Sequence, residues 1–327
     1  MSPSLSQAER NPFPYAEDNK RYYTWNYYLR QTFGGKVCKI PLDGGFTCPN
    51  IDGAKGTGGC SYCSGRGSGD FAGDPALSIP EQLAQGAAAF SGKWPNARYI
   101  AYFQAHTNTY APLPLIRERL EAALGQPGVV GLSVATRGDC LPEEVADYLA
   151  QLSQRIWLMV ELGLQTIHEE TARRINRCHT LPEFLEGYRR LTERGIPVCI
   201  HLIDGLPGET REQMLETVRA VAALEPHSVK IHLLHLLRGT PLGEEYRRFP
   251  FPLPSREEYV RLVCDQLELL PPRTVIQRLT GDGPKDALLA PLWSLKKGVV
   301  LNEIDKELYR RDSWQGKYCS IGGQHGL

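Results

Sequence analysis

The chain has 327 residues, 42% hydrophobic and 23% charged, with 37 Lys and Arg balancing 37 Asp and Glu. That is the composition of a globular protein with room for one barrel-like domain plus appendages, or two ordinary domains. The zero net charge excludes a global field drawing it to nucleic acid or anionic membrane, so any polyanion must be held by a local basic patch.

Residues 1–35 form an aromatic-rich extension containing Tyr22, Tyr23, Trp25, Tyr27 and Tyr28. Such a stretch either stacks bases or forms an amphipathic helix closing the bottom of a barrel; the helix is the preferred reading. From Lys36, apolar strands alternate with amphipathic helices. The expected strands are Val37–Pro41, Arg98–Gln104, Val129–Ala135, Ile156–Gly163, Pro197–Ile203 and Ser228–Leu236. The expected helices are Pro80–Phe90, Pro114–Leu124, Pro142–Leu152, Pro182–Arg194 and Arg211–Leu224, four of them opening on proline, which the first turn tolerates. Six repeats of strand then helix imply an α/β fold with parallel strands and right-handed crossovers over 36–249. A proline-rich connector then leads into a C-terminal helical extension, 250–327, expected to cover the barrel mouth or bind substrate.

In parallel architectures chemistry gathers at the C-terminal ends of the strands. The polar residues collect there: Gln104 and Asn108 after strand two, Arg137 and Cys140 after strand three, Glu161 and Gln165 on strand four. Strand five carries His201 and Asp204, and strand six Lys230, His232 and His235. Three positions apart, the last two histidines should face opposite sides of a strand. Asp204 and Glu209 can instead cap the helix after strand five. Cys38, Cys178, Cys199 and Cys264 read as small apolar fillers, whereas Cys140 sits near enough to the strand ends for a substrate role.

After strand one comes a glycine-rich loop holding Cys48, Cys60 and Cys63. Two thiolates separated by two residues reach adjacent corners of one metal centre. Three cysteine ligands fit either a cluster with an open position or a zinc knuckle completed by a distant ligand such as Cys38 or a histidine. Nine cysteines at scattered spacings do not form a secreted disulfide framework. The polar start lacks a signal-peptide core and no run is long enough to span a bilayer, so a reducing cytoplasm and no membrane partner are expected.

The phrases LDGGFTCPNIDG and GGCSYC, YFQAHTNTYAPL, ELGLQTIHEET, INRCHT, HLIDGLPGET and QRLTGDGP resemble, in this order, the YhcC/YtqA-like proteins of the radical S-adenosylmethionine (SAM) superfamily. The usual cysteine spacing there is three residues then two; the eleven between Cys48 and Cys60 resemble the branch related to the catalytic subunit of Elongator. The resemblance implies a partial (β/α)6 barrel, a [4Fe–4S] cluster on Cys48, Cys60 and Cys63, SAM on the open iron, and a one-electron donor such as flavodoxin or ferredoxin. It places Tyr62 against adenine and Gln104 and Asn108 at the SAM amino group, although the Gly-Gly-Glu phrase common after strand two is missing. Gln165 and Arg177 resemble the glutamine and arginine that hold SAM in the coproporphyrinogen-oxidase-like branch. His201 stands where that branch has a ribose-binding aspartate, and Glu161 is grouped with these cofactor contacts. The Elongator-like branch implies a transfer RNA (tRNA) substrate modified at the C5 side chain of a wobble uridine. A small-molecule oxidase or decarboxylase is the alternative enzyme, and a zinc-stabilised binding module the alternative outside enzymes.

Overall fold

In the computed structural model, which describes Phe13 and residues 20–320, the strand–helix alternation forms one curled parallel sheet. The six expected strands are present: β1 (Val37–Leu42), β2 (Arg98–Phe103), β3 (Val129–Thr136), β4 (Trp157–Gln165), β5 (Val198–Asp204) and β6 (Ser228–Leu233). Each pairs in parallel with its successor, and the intervening helices cover the outer face. Ser78, Thr180 and Thr210 open three of them as capping boxes, each side chain accepting from the N3 amide while N3 reaches back.

Two features differ from the sequence reading. Strand β6 ends at Leu233, where its partner β5 also ends; the following Leu236–Leu237 is a separate strand, β7. A seventh parallel strand, β8 (Val275–Arg278), comes from the C-terminal extension and pairs with β6. Strand β9 (Leu288–Ala290) then pairs antiparallel with β7. The extension also supplies helices Arg256–Leu269 and Lys297–Arg310, whose Tyr259, Val263, Val300 and Ile304 share the main apolar core. Its loops, through Arg278, Gly281 and Lys297, line the mouth cavity.

The aromatic stretch forms helix Trp25–Phe33, capped by the Thr24 hydroxyl. Trp25 lies 6.1 Å from Trp157, the first residue of β4, and Tyr28 lies 4.9 Å from His227, just before β6. The helix closes the N-terminal end of the barrel. Its rings are engaged there, and Trp25 lines the deep end of the central cavity, 4.9 Å from the Lys39 ammonium.

Candidate active site

The cysteine loop leaves the C-terminal end of β1 and is tied down from three directions. The loop after β2 contributes His106 N–H to Gly67 O at 2.9 Å and Gln104 Nε2 to Ser68 O at 2.8 Å. The segment after β4 contributes Asn176, whose amide donates to Thr57 O and Gly59 O at 3.1 and 2.7 Å. Asn50 donates back to the Asn176 carbonyl. Ser61 bridges, its N–H donating to Ile175 O at 2.9 Å and its carbonyl accepting from Leu242 N–H at 2.8 Å. Gly58 and Gly59 both take left-handed φ, +78° and +76°, letting the loop turn back before Cys60.

Cys48, Cys60 and Cys63 all line one cavity of about 1100 Å³. Burial raises the Cys60 thiol, and burial reinforced by Cys60 pushes Cys63 up to about 12. Such thiols give up their protons to a metal, not to neutral water. Asn50 Nδ2 lies 3.5 Å from Cys60 Sγ, and Ser68 Oγ 3.3 Å from Cys63 Sγ, the outer hydrogen bonds that tune cluster sulfur. This soft three-thiol donor set fits an iron–sulfur cluster with one open iron. Cys38 lines the same cavity but lies deeper, four positions before the end of β1, roughly 13 Å down the strand at ~3.3 Å per residue.

Around the cavity, period-two alternation turns one set of side chains inward: Tyr102 and Gln104, then Glu161, Gly163 and Gln165, then His201 and Ile203, then Lys230 and His232. Near the cysteines, Gln165 has φ of +67°, donates Nε2 to the Tyr62 hydroxyl at 2.9 Å and leaves Oε1 buried without a partner. Tyr62, Gln104 and Gln165 thus line the cavity beside the cluster loop, and His201 lines it deeper, level with Gly163.

Two assigned residues are placed otherwise. Arg177 lines the cavity, but its guanidinium donates to Leu164 O and Thr166 O at 2.7 and 2.6 Å and twice to His179 O. Four of its five N–H donors hold the loop after β4, and Nη2 also lies 3.8 Å from Glu169 Oε1. Asn108 is fully buried away from the cavity, its amide donating to the carbonyls of Phe103, Ala105 and Ala135. Both do for backbone what was expected for SAM. Cys140 lines a second cavity of about 820 Å³, with Phe46, Pro49 and Tyr110, and not the cavity lined by the three cysteines. Cys178 is no apolar filler, since its Sγ reaches Asn176 Oδ1 at 3.2 Å. His232 and His235 both line the cavity, because β6 ends between them and strand alternation no longer relates them.

Deeper than the cysteine loop, the lumen holds a polar column. The fully buried Glu161 carboxylate is an ion-pair partner of both Lys39 and Lys230. It also accepts from Ser133 Oγ at 2.5 Å and meets His201 Nε2 at 2.7 Å. Although burial acts against the anion, the Lys230 and Lys39 ammoniums hold its carboxyl well below the usual range. Burial and Lys230 pull His201 down to about 4, so it is a neutral imidazole at pH 7. Lys39, Tyr102, Ser133 and Gln277 in this column were missed from sequence. The available signal was a single lysine in each of two otherwise apolar strands, Lys39 in β1 and Lys230 in β6, with one glutamate, Glu161, between them on β4.

Comparison with known proteins fits this geometry. The Radical SAM superfamily profile matches residues 53–221, and the Radical SAM C-terminal domain matches 226–310. The uncharacterized protein YtqA of Bacillus subtilis is 51% identical over 95% of this chain and 96% of its own length. Human Elongator complex protein 3 is 29% identical over 47% of this chain and 28% of its own. Among solved structures, the archaeal Methanocaldococcus infernus Elp3 superposes with a TM-score of 0.64 at 18% identity, covering 86% of this chain. This chain spans 64% of that one. No described helix is long and apolar enough to cross a membrane. With three clustered thiols at the mouth of a parallel half-barrel and this kinship along most of its length, the chain belongs to the radical SAM superfamily, and is an enzyme whose cofactors are a [4Fe–4S] cluster and SAM.

Proposed function

We propose that this enzyme modifies RNA, at the C5 side chain of a wobble uridine in tRNA. The observation that carries the reading is the kinship of about half the chain with Elongator complex protein 3, which joins the eleven-residue cysteine spacing as a point of likeness to that branch. When bound, the two cofactors supply a 5′-deoxyadenosyl radical that abstracts hydrogen from substrate. The chain's own part is to bind, orient and exclude water. Cys48, Cys60 and Cys63 hold the cluster. Gln104, Gln165 and Tyr62 are assigned to SAM, with Gln165 Oε1 the acceptor for a donor such as its amino group. Arg177 is assigned a positioning role, fixing the carbonyls of Leu164 and Thr166 behind Gln165. An external one-electron donor, flavodoxin or ferredoxin, completes the partners.

The small-molecule alternative leans on the likeness of Gln165 and Arg177 to the coproporphyrinogen-oxidase-like branch. It loses support because Arg177 is committed to backbone carbonyls. Mass spectrometry of tRNA nucleosides from cells lacking the gene tests the RNA reading. A wobble-uridine derivative should accumulate or vanish in the deletion and recover with the parent gene, but not with a Cys60→Ala variant. An unchanged nucleoside profile would sink the reading and leave the small-molecule alternative.

A further inference from the structure

We propose that the lumen beneath the cofactor level is a binding pocket for a carboxylate carried by the substrate. The case begins with charge. Lys39 and Lys230 share one carboxylate, Glu161, with side chains 15%, 8% and 0% exposed respectively. His201 beside them is neutral, so the group carries one positive charge in excess. A buried charge without a counter-charge is costly, and a bound monoanion removes that cost. A phosphate dianion would overshoot it.

Donor geometry narrows the position. Lys39 is fully occupied, donating to Glu161, to Gln277 Oε1 at 2.8 Å and to Ser133 Oγ at 3.3 Å. Lys230 donates to Glu161 and to the Tyr102 hydroxyl at 3.2 Å, so two of its three N–H groups have partners among the described residues. The Tyr102 ring lies 4.9 Å from one ammonium and 4.5 Å from the other, fixing both. His232, two residues from Lys230 on the same face, lines the same wall with a buried Nε2 that has no partner. Burial pulls Lys230 down to about 8 despite Glu161, as expected of a cation short of counter-charge. A metal ion is the less suitable occupant. Glu161, Cys199 and His201 do bring ligand atoms within 4.8 Å of one another, but both ammoniums already sit on the carboxylate, and burial pushes the Cys199 thiol up to about 12.

The pocket lies below Gln165, the residue assigned to SAM, in the same continuous cavity. Lys230 pairs in register with His201, and His201 with Gly163, two positions before Gln165. A substrate whose carboxylate is anchored on Lys230 would present its neighbouring carbons upward toward the radical. The inference rests on the radical SAM assignment and not on the RNA reading, since the carboxylate can belong to an RNA side chain or a free metabolite.

The test uses cluster-loaded, SAM-saturated enzyme titrated with acetate by calorimetry, with acetamide and inorganic phosphate as comparisons. Acetate should bind saturably and acetamide should not. Lys230→Gln should weaken acetate binding at least tenfold while leaving SAM affinity and cluster absorbance unchanged. That variant keeps Lys39 and Glu161 as a one-to-one pair, so it should fold, and a thermal melt checks this. His232→Ala should also weaken acetate, with the ion pairs untouched. The proposal fails if acetate does not bind, if both variants bind it like the parent, or if phosphate binds more tightly. It also fails if Lys230→Gln loses SAM affinity, because the lumen would then serve the SAM carboxylate.

Discussion

At the scale of single residues, Glu161 controls the interior. Glu161→Gln would leave two buried ammoniums without their anion, and is expected to cost about 3–5 kcal/mol, the usual cost of breaking a buried pair. Lys39→Met leaves Glu161 and Lys230 matched one to one and should cost clearly less; urea midpoints of both variants check the order. Arg177 and Gln165 form a second contrast. Arg177→Ala strips side-chain donors from three buried carbonyls, of which Leu164 O keeps the Thr166 N–H, and should lower the urea midpoint, an unsatisfied acceptor being worth about 1–3 kcal/mol. Gln165→Ala should leave the midpoint near the parent value and weaken SAM, read by calorimetry. Equal SAM loss without destabilisation in Arg177→Ala would return it to the ligand. The cysteines were legible because a metal motif is local in sequence. Glu161 and His201 stood out as polar residues in apolar strands but were assigned to SAM, whereas the structure joins them to each other and Glu161 to Lys39 and Lys230. The backbone contacts of Arg177 and Asn108 were not legible for the opposite reason: their acceptors are main-chain carbonyls, brought close by loop geometry that no side-chain pattern encodes.

At the scale of elements, the strand–helix order was readable because apolar runs and proline- or hydroxyl-capped helices are set by nearby residues. The end of β6 and the existence of β8 depend on partner strands distant in sequence, and four residues from Val275 give too short a pattern to declare a strand. Helix–turn contact is likewise invisible locally. In helix Leu181–Thr192, a Cβ on Gly187 would sit 2.1 Å from the Gly138 carbonyl oxygen. Gly187→Ala should therefore destabilise by about 1–3 kcal/mol through overpacking, overriding the ~1 kcal/mol that alanine gains in an exposed helix. A rise in melting temperature would show that the turn at Gly138 yields. Asp204, closing β5, joins it to helix Arg256–Leu269 by accepting from Gln266 Nε2 at 2.7 Å. Burial pushes its carboxyl up to about 7. The folded state then binds the proton more tightly than the unfolded chain, so this stability is present below about pH 4 and is lost as pH rises through 7. Asp204→Asn should gain on the parent over that window, and parallel melts from pH 5 to 8 would show a constant gap if the group is not titrating.

At the scale of the whole molecule, a neutral chain that handles RNA needs a local positive surface, and the structure sorts the candidates. The basic pairs Arg247-Arg248, Lys296-Lys297 and Arg310-Arg311 look alike in sequence. Arg310 and Arg311 are held by Glu307, and Arg311 also by Asp265, on the far helix of the extension. Arg247 pairs with Glu244. Lys297 lines the mouth, paired with Asp282 at 2.7 Å, next to Lys296 and the exposed Leu292 and Leu295. Phosphates are therefore expected to meet the Lys296-Lys297 corner and not the arginine pairs. Binding of tRNA should weaken with salt, with a log–log slope near −0.9 for each duplex phosphate neutralised. Changing Lys296 and Lys297 together to Glu should reduce that slope by about two such contacts, whereas the same change at Arg310 and Arg311 should leave it alone and act through stability. The Arg310 and Arg311 change should not alter SAM cleavage by dithionite-reduced enzyme, since that pair does not line the cavity, whereas Lys297 borders its mouth. Equal slopes in all three proteins would place the RNA elsewhere on the surface, and the absence of any salt dependence would turn the enzyme toward a small substrate held by the barrel alone.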